Sequence, residues 1–215
     1  MLDKIQQRLE EIYEVETRLP VSQFLITNPD LAEQYDTSEN PRATQEKLLI
    51  SHTDDGIDVA LYLHDNIVKH LEKHDPLESL NDVNLHEFWV ALEGVSHFIY
   101  LAWNAQYDRQ ISLFELELQA EVDKFITAIL LFSQQQGMPH PRNLLVKLFI
   151  KLQFDGALHR EELIRYSMAN QYAYRYCEKL LAMYMEHRDE QRLYNEIRRF
   201  YRLTNHHKLK HICSH

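Results

Sequence analysis

The chain has few of the residues that build loops and covalent cross-links: its 215 residues include four glycines, six prolines and two cysteines. So few glycines argue against a glycine-rich phosphate loop, and so few turn-forming residues argue against an architecture of many strands. Cys177 and Cys213 form no Cys-x-x-Cys pair. Two such thiols are typical of a reducing cytoplasm rather than of a disulfide framework, so we expect a cytoplasmic protein.

Long apolar runs and catalytic signatures are also missing. No segment approaches the ~20 consecutive apolar residues that a bilayer core requires, and residues 1–7 lack the apolar core of a signal peptide. The sequence contains no His-Glu-x-x-His, Gly-x-Ser-x-Gly, P-loop or dinucleotide-binding motif. These absences predict a protein without a membrane partner and leave the reaction class, if there is one, unassigned.

Charge is unevenly distributed along the chain. Residues 1–157 carry 12 Lys and Arg against 26 Asp and Glu, whereas residues 158–215 carry 11 against 7. A basic segment of this kind can bind an acidic partner, or it can dock on the acidic remainder of its own fold. The sequence favours the second interpretation and leaves the first open.

Hydrophobic periodicity predicts a mainly α (α+β) fold, with a bundle of about five to seven helices and a small N-terminal β-hairpin. We expect one domain over residues 1–215, in which 1–80 form helices plus the hairpin and 85–212 form the bundle. A first helix should end before Pro20, Asn28 should cap a second, and Asp65 should cap a third. The later helices are expected at 85–104, 113–134, 144–154, 158–187, 190–203 and 206–212.

The hairpin prediction rests on alternation of apolar and polar residues with a period of two. Strands are expected at 47–52 and 57–63, joined by a turn at Asp54-Asp55-Gly56. Because a single hairpin is marginal in water, it should pack on helices or gain a third strand. Phe24, Leu25 and Ile26 are the candidates for that strand.

A line of polar residues runs along the 85–104 helix, which is otherwise apolar nearly all round and is therefore expected to be buried. At ~100° per residue, His86, Glu93, His97 and Asn104 fall close to one line. Since buried charge is costly unless it is paired or bound to metal, these residues need partners from neighbouring helices. The interpretation favoured by the sequence is structural, with Glu93 accepting hydrogen bonds from His97 or from an arginine of the basic segment.

A metal site is the alternative interpretation of the same residues. Glu93 and His97 lie one helical turn apart, and Glu117 and Glu121 have the same spacing on the next helix. Carboxylates and histidines on facing helices form di-metal centres, so these four residues are candidate ligands of Fe, Mn or Zn. Against this, Glu117 and Glu121 with Lys124 equally suit a solvated helix face.

Arginine and tyrosine alternate through the C-terminal helices. Both residue types are enriched at protein interfaces and can also stack on nucleic-acid bases. The candidate interaction face comprises Arg165, Tyr172, Arg175, Tyr176, Arg198, Arg199 and Arg202. His207 and His211, spaced by one helical turn, are a further but weak candidate pair of metal ligands.

From these observations we expect a non-enzymatic protein-interaction or regulatory module, acting on a protein partner or as a homo-oligomer, because catalytic signatures are missing. A metal-dependent enzyme is the first alternative, and a nucleic-acid-binding module the second. The net charge of −10 works against nucleic acid, since a negative protein repels phosphate at long range.

Overall fold

The computed structural model describes residues 1–38, 43–53, 56–135, 141–151, 156, 158–187 and 189–214. Within these residues it contains nine α-helices and three strands, which confirms the mainly α fold with a small β element. No described helix is both long enough and apolar enough to span a bilayer. The helices are α1 Leu2–Tyr13, α2 Pro29–Tyr35, α3 Asp65–Lys73, α4 Leu85–Ala105, α5 Leu113–Gln134, α6 Pro141–Leu145, α7 Arg160–His187, α8 Glu190–Arg202 and α9 Asn205–Cys213.

The predicted hairpin is present and gains its third strand. β2 (Glu46–Thr53) and β3 (Gly56–Leu63) pair antiparallel, with Glu46 opposite Leu63. β1 (Leu25–Ile26) pairs parallel with β3 on its other side, which gives the order β1-β3-β2. Residues 54 and 55 of the predicted turn lie outside the described residues.

Burial along β3 follows distance from the helices rather than the alternation of the sequence. Leu61 and Leu63 are fully buried in the main core, and Tyr62, on the opposite face, is covered in a small separate cluster with Ala32 of α2. Ile57, at the far end of the strand, is half exposed. The base of the sheet is therefore covered on both faces, whereas the far end of β3 at Ile57 is open to solvent.

The centre of the bundle is the pair α4 and α5, and α7 packs on α5 from the other side. α5 begins as predicted: the Ser112 hydroxyl accepts a hydrogen bond from the Glu115 amide at 3.2 Å. Gly94 brings α4 against the sheet, since a Cβ at this position would lie 2.6 Å from Leu61 Cδ1 and 2.9 Å from Glu46 Cγ. The missing side chain therefore places the first residue of β2 beside the polar line of α4.

Two predicted helix starts differ in detail. α3 is capped by His64, whose Nδ1 accepts from the Asn66 amide, and not by Asp65. α6 begins at Pro141 rather than after Asn143 and continues as a π-helical segment, Val146–Ile150. Residues 152–154, the expected end of that helix, lie outside the described residues.

Candidate metal site

Four elements converge on one group of ionisable side chains between the sheet and the bundle. α4 contributes Glu93 and His97, one turn apart as the spacing predicts. α5 contributes Glu117, β2 contributes Glu46, and α7 contributes Arg165. The site thus depends on both the bundle and the hairpin.

Three potential ligand atoms lie within 4.8 Å of one another. They come from Glu93, His97 and Glu117, with one atom from each residue. His97 Nε2 lies 3.5 Å from Glu117 Oε2. If both atoms bound one ion at about 2.1 Å, this separation would correspond to an angle of about 110°, an ordinary angle at a transition metal. At the same angle a pair of ligand atoms lies about 3.4 Å apart, so a pair near the 4.8 Å limit would have to close by up to about 1.4 Å to complete the coordination.

The other ring nitrogen of His97 faces a different carboxylate. Nδ1 lies 3.5 Å from Glu46 Oε1, and the His97 side chain is 8% exposed. Within the described part of the chain, neither Nε2 nor Glu46 Oε1 has a hydrogen bond of ordinary geometry, although both belong to 3.5 Å ion-pair contacts when the imidazole is protonated. A carboxylate at one nitrogen and ligand atoms beside the other is the arrangement that orients metal-binding histidines.

The cluster carries more negative than permanent positive charge. Its carboxylates are Glu46, Glu93, Glu117 and Glu121, and its permanent cations are Lys124 and Arg165. Lys124 Nζ donates to Glu93 Oε2 at 2.9 Å and to Glu121 Oε1 at 2.6 Å. Two carboxylates therefore depend on His97 or on an added cation for compensation.

The titration of the cluster reflects this imbalance. Burial opposes a charged imidazole, yet the carboxylates of Glu117 and Glu46 raise the pKa of His97 well above its ordinary value. Burial raises the pKa of Glu46, reinforced by the charges of Glu93 and Glu117. Burial alone would raise the pKa of Glu93, but the Lys124 ammonium and His97 bring it below the ordinary value. A divalent cation would compete with the His97 proton for the same negative field.

A cleft of about 750 Å³ leads to this cluster. Its base includes Glu46, His97 and Glu117, and its far wall includes Arg165 and Tyr166 at the start of α7. A cleft of this size, with convergent polar groups at its base, is the kind of space that admits a small-molecule ligand.

The structure separates the predicted polar line into different environments. His97 and Asn104 are buried, and Glu93 is half-buried, but His86 is exposed at the first turn of α4, so its assignment to a buried line is wrong. Asn104 donates to the Tyr100 carbonyl oxygen at 2.7 Å and stays on its own helix. The line runs the whole length of α4, and its exposed member, His86, lies in the first turn of the helix.

Glu117 and Glu121 do not lie on a solvated face, because α5 is buried nearly all round. Of the four predicted ligands, Glu93, His97 and Glu117 come together. Glu121 is held on the Lys124 ammonium instead. The predicted partner of Glu93, a C-terminal arginine, is also replaced by this lysine.

A second buried polar group lies deeper in the bundle. Asp123 accepts hydrogen bonds from Tyr13 at 2.5 Å, Ser96 at 2.6 Å and Gln119 at 2.7 Å. Lys208 of α9, 0% exposed, donates to Gln119 Oε1 at 2.6 Å. Burial raises the pKa of Asp123 to about 6 and lowers the pKa of Lys208 to about 7. Asp123, Gln119 and Lys208 are all buried, so this group belongs to the core.

The predicted arginine–tyrosine face is not one surface. Tyr176 is buried and stacks on Phe200 at 3.8 Å, so it cannot contact a partner. Tyr172 is half-buried against Phe114, and the exposed Arg175 lies over its ring. Helical spacing alone could not separate the covered from the exposed members of this set.

Two of its arginines bind the acidic N-terminal segment. Arg198 donates to the Ile12 carbonyl oxygen at 2.9 Å and pairs with Glu14 at 2.7 Å. Arg202 donates to the Glu14 carbonyl oxygen at 3.0 Å, while Arg199 is exposed. Cations at the C-terminal end of α1 also suit its dipole. The basic segment thus docks on its own fold.

His207 and His211, the weaker candidate pair of metal ligands, each contact a different side chain. His211 Nε2 lies 2.5 Å from Glu196 Oε1, and His207 Nδ1 lies 2.7 Å from the Thr204 hydroxyl. Among the described residues, the metal-binding geometry is found at Glu93, His97 and Glu117 and not here.

Sequence reasoning missed Glu46 and the role of Lys124. Glu46 precedes the predicted strand by one residue, and its place beside Leu48 and Ile50 in the alternation could have identified its face. Lys124 follows Glu121 by three residues, a spacing that brings the two side chains together on one helix. The pairing with Glu93 required the packing of α4 on α5.

Comparison with known proteins adds no functional information. No protein-family model matches this chain, and neither the curated proteins nor the solved structures include a match. The function must therefore be inferred from the geometry of the site.

Proposed function

We propose that this protein is a metal-dependent enzyme whose single divalent ion is bound by Glu93, His97 and Glu117. The observation that carries the proposal is the position of His97: its Nε2 is buried without a hydrogen-bond partner, next to two carboxylates, at the base of a cleft. Buried polar atoms in folded proteins are almost always satisfied, and the 3.5 Å contact with Glu117 is too long to satisfy Nε2 fully, so this atom is available for a shorter bond to a metal ion.

The donor set restricts the ion. Carboxylates favour Mg²⁺, Ca²⁺ and Mn²⁺, whereas an imidazole favours Zn²⁺, Fe²⁺ and other transition metals. Two carboxylates with one imidazole are therefore best suited to Mn²⁺ or Fe²⁺, with Zn²⁺ next. With three protein ligands, such an ion keeps open positions and can polarise a substrate oxygen or activate water.

The residues around the ligands support this use. Glu46 Oε1 lies 3.5 Å from His97 Nδ1, so a small approach of this carboxylate would hold the Nδ1 proton and leave Nε2 to bind. Arg165 lies 3.9 Å from Glu117 and lines the cleft beside Tyr166. These two side chains are placed to contact a ligand that enters the cleft, and their guanidinium and hydroxyl groups suit an oxygen-bearing substrate.

Metal stoichiometry tests the proposal. Protein without a histidine tag is loaded with Mn²⁺, Fe²⁺ or Zn²⁺, desalted and analysed by elemental mass spectrometry. We expect one ion per chain in the wild type and in His86→Ala, a matched control on the same helix, and a loss of at least tenfold in His97→Ala.

Glu117→Gln keeps the shape of the side chain and should also lose the ion, with circular dichroism checking the fold of each variant. A wild type that retains none of the three metals would refute the proposal. Equal retention by His97→Ala and His86→Ala would refute it as well.

We also propose self-association through α7, the interaction role expected from the sequence, because of one specific observation. Leu163, Ile164 and Met168 in the first turns of this helix are 41–49% exposed. Neighbouring exposed apolar side chains often mark a protein contact. Sedimentation velocity over a wide concentration range should show a dimer that Ile164→Glu dissociates, and a wild type that stays monomeric throughout would exclude this role.

A further inference from the structure

We infer that Lys124 restricts the site to one ion, because its ammonium group occupies the position that a second metal ion would take. This inference rests on the proposed metal site. It concerns the number of ions bound, which the three ligands alone do not decide.

The ammonium group of Lys124 lies between α4 and α5 and is shared by a carboxylate from each helix. Lys124 is 5% exposed, and its Nζ contacts one carboxylate oxygen from α4 and one from α5. Of these, Glu93 also belongs to the set of three ligands. Its carboxylate therefore lies next to both the metal position and the ammonium group, as a carboxylate that bridges two ions does.

Glu121 has the binding capacity that a second ion would need. Its Oε1 accepts from Lys124, while its Oε2 is buried and has no hydrogen-bond partner within the described part of the chain. Two-metal centres in helical bundles use carboxylates from facing helices, with the ions about 3.5–4 Å apart. Glu93 and Glu121 supply two such carboxylates, and the lysine fills the space between them.

An amino group here changes the charge and the chemistry of the centre. It supplies one positive charge where a metal would supply two, and it has no open coordination position. Removal of the amine would leave Glu93 and Glu121 as half-buried, uncompensated charges, which destabilise a fold. A divalent ion could replace the lost charge, so the variant should acquire an ion that the wild type does not bind.

The test compares Mn²⁺ binding in wild type, Lys124→Ala and Lys147→Ala, a control at the exposed pair of Lys147 and Asp82. All are refolded in Mn²⁺ and analysed by elemental mass spectrometry and electron paramagnetic resonance. We expect one isolated Mn²⁺ per chain in wild type and control. Lys124→Ala should bind two ions with an exchange-coupled spectrum, and Lys124→Ala/Glu121→Gln should return to one.

The outcomes separate the two proposals. One ion in both wild type and Lys124→Ala would overturn the inference and leave the proposed function standing. No Mn²⁺ in either wild type or Lys124→Ala would overturn the inference, and the proposed function would fall with it only if the wild type also retains neither Fe²⁺ nor Zn²⁺. If Lys124→Ala fails to fold even with Mn²⁺ present, the inference is overturned, because it requires a second ion to replace the ammonium group.

Discussion

The buried Lys208 should make the stability of this protein depend on pH in a way that one substitution removes. Burial lowers the pKa of Lys208 from its ordinary 10.5 to about 7, partly offset by the charges of Glu115 and Asp123. Between these values the unfolded chain binds a proton that the folded chain does not. Stability therefore rises with pH in this window, and below about pH 7 the lysine is protonated in both states, so the effect levels off.

The magnitude follows from the two pKa values. From about pH 7.5 to about pH 9.5 the difference in bound protons integrates to about 2.5 kcal/mol of added stability from this group, at about 1.4 kcal/mol per pKa unit. This window lies above the pKa of about 6 for Asp123, so that carboxyl stays ionised throughout. Other groups contribute equally to wild type and variant and cancel in the comparison.

Urea denaturation followed by tryptophan fluorescence provides the assay. The free energy of unfolding is measured at several pH values in wild type, Lys208→Met and Lys210→Met, an exposed control on the same helix. The wild type and Lys210→Met should gain about 2.5 kcal/mol relative to Lys208→Met across the window. Parallel curves for Lys208→Met and wild type would refute the assignment of Lys208 as a buried, largely neutral amine.

Three further substitutions test how the fold positions the site. Gly94→Ala should lower the free energy of unfolding by about 1–2 kcal/mol, because overpacking against the sheet exceeds the gain in helix propensity. Thermal denaturation should show no such loss for the control Gly156→Ala, which has open space around it. Ser112→Ala should cost about 1 kcal/mol in urea denaturation through loss of the α5 cap, and an unchanged midpoint would contradict that role. Arg198→Met should lower the free energy of unfolding by about 1–2 kcal/mol, since the contacts of Arg198 with the end of α1 are lost. Arg199→Met, at an exposed position, should change stability little. Equal effects of the two substitutions would argue against docking of the basic segment.

Local sequence patterns were sufficient for most of the secondary structure. The spacing of apolar residues predicted α4, α5, α7 and α8 to within about two residues at their ends, and the period-two pattern predicted both hairpin strands. These patterns work because they record which side of a helix or strand faces the core. The start of α6 was missed, because proline at a first turn and a capping asparagine two residues later are both acceptable helix starts.

The candidate site was only partly predictable. Glu93 and His97 were identified together because their separation is fixed by one helix. Glu117 was chosen from the next helix along with Glu121, and nothing in the sequence could tell that only the first of them reaches His97. Glu46, about fifty residues earlier in the chain, joins them because a glycine on α4 allows the sheet to approach.

The sequence by itself determined which segments are helical, which helices must be buried, and that ionisable residues of α4 need partners inside the protein. Tertiary structure alone decided which side chains those partners are. Glu93 pairs with Lys124, and His97 faces the carboxylate of Glu46 on β2. The physical reason is that the two kinds of interaction connect residues over different separations along the chain. Helix and strand periodicity depends on residues a few positions apart, whereas compensation of a buried charge depends on whichever groups the packed elements bring within about 4 Å.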